Sequence, residues 1–300
     1  MSRRVAFATC EPRFEGWEDD QLAADVLAAR GLDVAFVAWD DPGVSWDQFD
    51  LVVIRSTWDY TGRLEEFLAW ADRVGPERLR NVPDLIQWNS DKRYLAELDS
   101  AGLPVPPTAL VAPGGPVPDF GGKVVIKPVC GAGARDTGVF DEDNRQEGLE
   151  LLAKLGRQDE IGMIQPYIPW IDQHGETAVV LFGGRFAYAL KKKPFLPESG
   201  VAPVKPGTGV AAGMFDEDLM TLHQASEAEV ELGIRTAAWL ARRFGGVPLY
   251  ARIDMVSSPG SEPVLMEVEA IEPSLYLELT GDLEVSGAEM FAAAVEAACG

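Results

Sequence analysis

The sequence predicts an α/β chain: a parallel, helix-flanked sheet at the N-terminus, followed by two smaller α+β units. Three observations predict this. Short apolar runs alternate with helix-like stretches through the first 88 residues, the pattern of a parallel sheet. Residues 177–191 and 250–269 each read as two apolar runs joined across a Gly-containing turn, the pattern of antiparallel hairpins. Between these regions Gly102, Pro104, Pro106 and Pro107 mark a domain connection.

Composition bounds the answer. The 300 residues, 47% hydrophobic and 25% charged, are an ordinary globular mixture and favour about two domains. A formal net charge of -22 argues against nucleic acid and against anionic membrane surfaces as partners. No apolar run is long enough for a membrane span. The Met1-Ser2-Arg3-Arg4 start runs straight into a strand pattern, so no signal segment is expected. Cys10, Cys130 and Cys299 are odd in number and widely spaced, which suits reduced thiols in a cytoplasmic protein. Only His174 and His223 are present, neither near a cysteine, so a histidine-based metal site is not expected.

Residues 4–9 read as a short buried strand. Asp19 or Asp20 then caps a helix with Leu22, Val26 and Leu27 on one face and Gly31 at its end. Residues 33–39 and 50–56 are two more strands, and residues 63–74 a helix stopped by Gly75-Pro76. Ligands of parallel sheets gather at the carboxyl ends of the strands. Thr9 lies at one such end, and Arg55-Ser56-Thr57-Trp58-Asp59-Tyr60 at another. Thr9, Arg55, Ser56 and Asp59 are therefore candidate substrate contacts. For Arg55 and Asp59, a local ion pair that closes the loop is an equal alternative.

Asn89-Ser90 caps the next predicted helix, over residues 91–98. Residues 123–129 form a strand that feeds Gly131-Ala132-Gly133-Ala134-Arg135-Asp136-Thr137-Gly138. No Gly-Lys-Ser/Thr follows, so this is not a P-loop. Its backbone amides can cradle phosphate, although an ordinary hairpin turn would look the same. A helix over about residues 146–155 leads to a buried strand at 161–168 and then to the 177–191 hairpin. The run Lys191-Lys192-Lys193 is either a solvated strand end or a basic terminus that meets an anion. Residues 194–213, rich in Gly and Pro, read as a long mobile loop of the kind used as a lid. Residues 216–245 are helical with a break near Gly233, and a last helix covers residues 287–298.

The hairpin at 250–269 carries the densest charge pattern. Centring its turn at Pro259-Gly260-Ser261 sets Asp254 opposite Glu267 and Arg252 opposite Glu269, all on one face. Like charges opposed across a hairpin are destabilising, and a hard cation relieves them. Magnesium takes oxygen ligands and is usually held by one or two carboxylates plus phosphates. Asp254, Glu267 and Glu269 are therefore candidate metal ligands. The other face, Ile253, Met255, Met266 and Val268, is apolar and implies a sheet that faces a core. An edge hairpin with a solvated charged face is the alternative.

The order of these features is more specific than any one of them. It runs Asn89-x-Asp91-Lys92, the strand with Lys127-Pro128, the Gly-rich loop, Gln165-Pro166-Tyr167-Ile168, the basic hairpin, the lid loop, then Asp254 and Glu267-x-Glu269. This order resembles the ATP-grasp ligases, in particular the glutathione synthetase and ribosomal-protein glutamate ligase branch. The stretches 55–60 and 88–95 are similar to the O-ureidoserine cyclo-ligases that make D-cycloserine. The resemblance covers nearly the whole chain. It implies an N-terminal substrate domain over 1–88 and an ATP-grasp domain over 89–300, with a small subdomain at about 119–168 and a C-terminal one at about 169–300.

The resemblance also implies residue roles. Lys92 and Lys127 would reach the phosphates and adenine of ATP, and Gly131, Gly133 and Arg135 would close over the phosphates. Gln165, Tyr167 and Ile168 would form the hinge whose backbone reads the adenine edge, and Asp172 or Glu176 would hold the ribose. Asp254, Glu267 and Glu269 would bind magnesium, with manganese admissible, while Arg252 and Lys192 serve catalysis. The family usually shows Asn where Glu269 stands. Arg252 offsets that extra charge, or the charge changes how a second metal is held. Where relatives carry a substrate arginine after the basic hairpin, this chain offers Lys192, which cannot form a bidentate fork.

The implied activity is an ADP-forming carboxylate–amine ligase that works through an acylphosphate on small-molecule substrates. The amine is external, as in an amino acid or dipeptide ligase, or internal, as in cyclisation of O-ureido-D-serine to D-cycloserine. A small-molecule kinase and a catalytically silent nucleotide-binding module are the rivals from other classes. Keeping all three carboxylates and both lysines speaks against silence. A homo-oligomer is left open.

Overall fold

The structure, a computed structural model, describes residues 3–11, 18–205, 210–216, 218–258 and 260–300. Its first sheet grows from β1 (Arg4–Thr9), whose residues 5–9 are buried. β2 (Asp33–Ala38) and β3 (Leu51–Ile54) flank it, and β4 (Leu79–Arg80) pairs with β3, all in parallel. α1 (Glu18–Ala29) covers one face, where Ala23 and Leu27 pack on Val5 and Phe7. α2 (Leu64–Val74) covers the other, setting Phe67 and Trp70 against Ala6 and Val52. The inward stripe of α1 differs from the expected one. Leu22 is exposed, and Asp19 and Asp20 are buried instead, because both carboxylates have partners inside the molecule.

α3 (Pro83–Asn89) and α4 (Tyr94–Ser100) stand where one helix capped by Asn89-Ser90 was expected. The Asn89 side chain is used elsewhere, as described below. The second sheet contains β5 (Ala109–Val111), β6 (Val124–Pro128), β7 (Gly138–Phe140) and β8 (Gly162–Pro166). The Gly-rich stretch is the connection between antiparallel β6 and β7. α5 (Arg145–Arg157) packs Leu151, Leu152 and Leu155 on Ile126 and Phe140.

α6 (Trp170–His174) leads to the third sheet, which opens with the hairpin β9 (Glu176–Phe182) and β10 (Arg185–Lys192). The next segment departs from a featureless loop. β11 (Gly200–Val201) joins the second sheet beside β7, and Val204 bridges Ala211. Residues 206–209 of that stretch lie outside the described residues.

β12 (Met220–His223) pairs with β10, where helix was expected, and α7 (Glu227–Phe244) follows. Ser226 and Glu229 form a capping box at its start. α7 runs unbroken through Gly233. A Cβ there would meet Val179 Cγ1 at 2.8 Å, so this glycine lets the helix lie close on β9 rather than breaking it.

β13 (Tyr250–Val256) and β14 (Val264–Glu269) complete the third sheet, in the order β12-β10-β9-β13-β14. The register is the expected one, Arg252 opposite Glu269 and Asp254 opposite Glu267. A bulge after Asp254 then pairs Met255 with Leu265. Leu265, fully buried, therefore takes the core position expected of Met266. Pro259 of the expected turn lies outside the described residues.

β14 is an edge strand, but its outward backbone is covered. Tyr94 Oη donates to Val268 O and accepts from Val268 N. Asn89 donates to Val268 O at 2.7 Å and accepts from Ala270 N at 2.8 Å. These side chains remove the free edge a sixth strand could use. α8 (Gly287–Ala298) closes the fold, packing Phe291 between Phe7 and Phe182. Among the described residues no helix is long and apolar enough to cross a membrane.

Candidate active site

Side-chain alternation on β13 and β14 puts Arg252, Asp254, Glu267 and Glu269 on one face. Arg252 forks onto Asp254, with Nε to Oδ1 and Nη2 to Oδ2 both at 2.9 Å, and also donates to Glu269. Its Nη1 donates to Ser274 O at 3.0 Å. Burial pushes the Glu269 carboxyl up to about 7, with Arg252 opposing and Asp254 and Glu267 reinforcing. Glu267 goes the other way. Burial would raise it, but Lys92 and Lys127 outweigh that and hold it at about 2.

The lysines come from other elements. Lys92 sits between α3 and α4, where its backbone N–H donates to Val129 O at 2.9 Å. Its Nζ lies 3.0 Å from Glu267 Oε1 and donates to Gly131 O at 2.7 Å. Lys127 reaches in from β6. Burial lowers its pKa, with Glu267 resisting and Lys92 reinforcing. On β10 the two neighbours separate. Lys191 Nζ donates to Thr177 Oγ1 at 2.8 Å, while Lys192 Nζ stands 3.4 Å from Glu176 Oε2. Burial works against the Lys192 charge, but Glu176 and Asp254 outweigh it and the pKa rises. The charged face of the third sheet thus looks onto lysines from the second sheet and from β10.

Among the described residues no three His, Cys, Asp or Glu side chains form a ready metal cage. Asp254 is occupied by Arg252, and Glu267 by Lys92. The donor set still fits magnesium, which needs only one or two carboxylates when phosphate oxygens complete its shell.

The Gly-rich loop and the stretch after β10 meet. Ala211 N donates to Gly133 O, and Ala202 N to Thr137 O, both at 2.8 Å. Gly133 has φ +62, and a Cβ there would meet Val210 Cγ1 at 2.8 Å, so only glycine permits this contact. Arg135 Nη2 lies 3.9 Å from Glu160 Oε1. At the expected hinge, Tyr167 N donates to Lys123 O at 2.9 Å, and buried Gln165 spends its side-chain amide on Thr108 Oγ1. The Tyr167 N–H is thus spent within the protein, and Ile168 O accepts from Ile171 N at 3.1 Å. Tyr167 Oη donates to Asp172, while Glu176 is engaged by Lys192.

The candidate substrate contacts in the first sheet need the largest correction. Thr9 Oγ1 and Ser56 Oγ are buried and hydrogen bonded to each other at 2.9 Å. Arg55 is 3% exposed. It pairs with Asp20 at 2.7 Å and donates to Pro273 O at 3.1 Å. Asp59 accepts from Trp39 Nε1 at 2.9 Å and faces Arg63. An Arg55–Asp59 pair does not form, because Asp20 takes Arg55 and Arg63 faces Asp59. Arg55 braces the carboxyl end of the sheet against the loop after β14. Sequence reasoning missed Tyr60 and Glu272, which meet where those two segments face each other. Burial, reinforced by Glu269, pushes Glu272 up to about 8, while its own backbone, the Lys92 charge and a hydrogen bond with Tyr60 oppose the rise. No periodicity marks Glu272, since it follows the strand end.

Residues 5–81 match the family model described as the N-terminal domain of D-cycloserine synthetase DcsG. The chain is 32% identical over 277 residues to cycloserine biosynthesis protein DcsG from Streptomyces lavendulae, covering 88% of each. It is 27% identical over 292 residues to the glutathione synthetase of Bordetella parapertussis, covering 95% of this chain and 79% of that one. The crystal structure of D-cycloserine synthetase DcsG superposes with a TM-score of 0.83 at 28% identity, over 99% of this chain and all of that one. The chain belongs to the D-cycloserine synthetase family of ATP-grasp ligases, ADP-forming enzymes that make carbon–nitrogen bonds.

Proposed function

We propose that this ligase activates the carboxylate of O-ureido-D-serine with ATP and closes the ring of D-cycloserine within that one molecule. The likeness to DcsG supports the substrate. The observation that carries the chemistry is the opposition of Asp254, Glu267 and Glu269 to Lys92, Lys127 and Lys192 across one cleft.

A carboxylate is a poor electrophile because its leaving group would be oxide. Transfer of the γ-phosphoryl of ATP to it gives an acylphosphate, from which phosphate leaves readily. The nitrogen bonded to oxygen in the ureido group then attacks the acyl carbon. That leaves the carbamoyl group on the ring nitrogen, from which one water removes it as carbamic acid, and this falls to carbon dioxide and ammonia. Phosphoryl transfer of this kind depends on positioning and charge neutralisation more than on protein nucleophiles.

The residues divide that work. Lys92 and Lys127 neutralise the phosphates, Arg252 offsets charge on the transferred group, and Lys192 draws the substrate carboxylate. The backbone of Gln165, Tyr167 and Ile168 reads adenine and Asp172 or Glu176 the ribose, while Gly131, Gly133 and Arg135 cover the phosphates. Asp254, Glu267 and Glu269 would hold magnesium, or manganese, which supplies further neutralisation of the phosphates. The 194–213 stretch, already bonded to the Gly-rich loop, keeps water from the acylphosphate. The N-terminal unit, 1–88, bounds the substrate side and residues 89–300 the nucleotide side. Free thiols at Cys10, Cys130 and Cys299 suit the reducing cytoplasm.

The test is ADP release with Mg-ATP against O-ureidoserine of both hands and against amino acid pairs, with products identified by mass. The reading expects turnover of the D compound alone to a cyclic product. Turnover only on pairs would replace it with an intermolecular ligase. Glu267→Gln should abolish ADP formation in a chain that still folds, as its circular dichroism would show. Surviving activity would remove Glu267 from the metal site.

A further inference from the structure

We infer that Glu272, with Tyr60 beside it, binds the α-ammonium group of the substrate and so selects carboxylates that carry an amino group on the adjacent carbon. This rests on the ligase reading above. Four carboxylates line this end of the cleft, and three have protein cations. Asp254 and Glu269 share Arg252, and Glu267 has Lys92. Among the described residues no cation stands within ion-pair distance of Glu272.

Glu272 is nevertheless held in place. Tyr250 Oη donates to Ile271 O at 2.7 Å, Arg55 Nη2 to Pro273 O at 3.1 Å, and Arg252 Nη1 to Ser274 O at 3.0 Å. The backbone on both sides of this one side chain is pinned by buried groups. Such preorganisation is what a binding residue requires, and a solvated loop carboxylate has no need of it. Tyr60 is 7% exposed, and burial followed by the charges of Glu272, Glu269 and Glu267 raises its pKa. Tyr60 and Glu272 therefore stand at the rim of the face where the carboxylate is activated.

A carboxylate enclosed without a paired cation is costly, and a ligand cation relieves that cost. An α-amino acid brings one. Its ammonium lies one carbon from the reacting carboxyl group, which must come to the Asp254–Glu269 face. Bound there as ammonium, the α-nitrogen has no lone pair to offer, so the ureido nitrogen remains the nucleophile. The arrangement selects the substrate and prevents coupling through the wrong amine.

The experiment compares O-ureido-D-serine with its des-amino counterpart, 3-(ureidooxy)propionate, by Mg-ATP-dependent ADP release in wild type and Glu272→Gln. Wild type should prefer the amino compound by about 10- to 100-fold in kcat/KM, the range of a hydrogen bond to a charged group. In Glu272→Gln that preference should fall to within about threefold, through KM for the amino acid and not through KM for ATP. An unchanged preference in the variant overturns the inference. Equal use of the two compounds by wild type does the same, and needs no variant to fold. Wild type that releases ADP from neither compound, nor from any amino acid pair, overturns the ligase reading and this inference with it.

Discussion

Asp19→Asn should remove much of the loss of stability that the protein suffers on going from mildly acidic to alkaline pH. Asp19 is 3% exposed on the inner side of α1, where its Oδ1 accepts from the backbone N–H groups of Leu277 and Glu278. Its Oδ2 is buried with no hydrogen-bond partner among the described residues. Burial, then the neighbouring Glu278 carboxylate, raise its pKa from 3.8 to about 8, with Arg55 opposing. The folded state therefore holds a proton here that the unfolded chain releases. A group with a raised folded pKa contributes stability that is complete below its unfolded pKa and is lost as pH rises to the folded one. A rise from 3.8 to about 8 amounts to about 6 kcal/mol over that window. About 3 kcal/mol of it falls between about pH 6 and pH 9. Asparagine keeps the acceptor for Leu277 and offers Glu278 a permanent donor. Urea unfolding of both proteins at about pH 6 and pH 9 should show the stability difference moving toward the variant by about 3 kcal/mol. Titrating groups away from Asp19 are common to both chains and cancel. A difference that stays constant across this range would refute the reasoning.

Two further outcomes follow from geometry. Lys192→Ala should cut kcat/KM by about 100-fold in the ADP-release assay, as loss of a preorganised charge does. Lys191→Ala, one residue away on the opposite face, should cut it by no more than about threefold, and comparable losses in both would void the face assignment. Gly233→Ala should destabilise by about 1–2 kcal/mol. Forcing a methyl against Val179 costs about 1–3 kcal/mol, and the gain in helix propensity returns up to about 1. Combining it with Val179→Ala should leave less cost than the two changes added, and strict additivity in chemical denaturation would count against the contact.

The hairpin register was legible because it follows from local rules. A strand has period two, a Pro/Gly/Ser turn sets the centre, and the pairing Arg252–Glu269 and Asp254–Glu267 results. The bulge that exchanges Met266 for Leu265 was not legible, since no turn residue marks it. Lys92 and Lys127, proposed for the phosphates, were named from the order of motifs, which no single motif supplies.

The misreadings share one cause, a partner distant in sequence. Arg55 looked like a ligand group at a strand end, but Asp20 neutralises it from a helix whose apolar pattern pointed Leu22 inward. Propensity treats Gly233 as a break, yet the closeness of Val179 makes it the residue that lets α7 seat. Glu272 has no local signal, and its position depends on Tyr250, Arg55 and Arg252 holding the carbonyls around it. Two of these also join the N-terminal sheet to the hairpin. Tyr250 Oη reaches Ile54 O as well as Ile271 O, and Arg55 spans from Asp20 to Pro273. The bracing of the sheet against the hairpin thus shares these bonds with the proposed ammonium site. A change such as Arg55→Lys, which loses the planar fork, should weaken both together, lowering stability and raising KM for the amino acid while KM for ATP stays put.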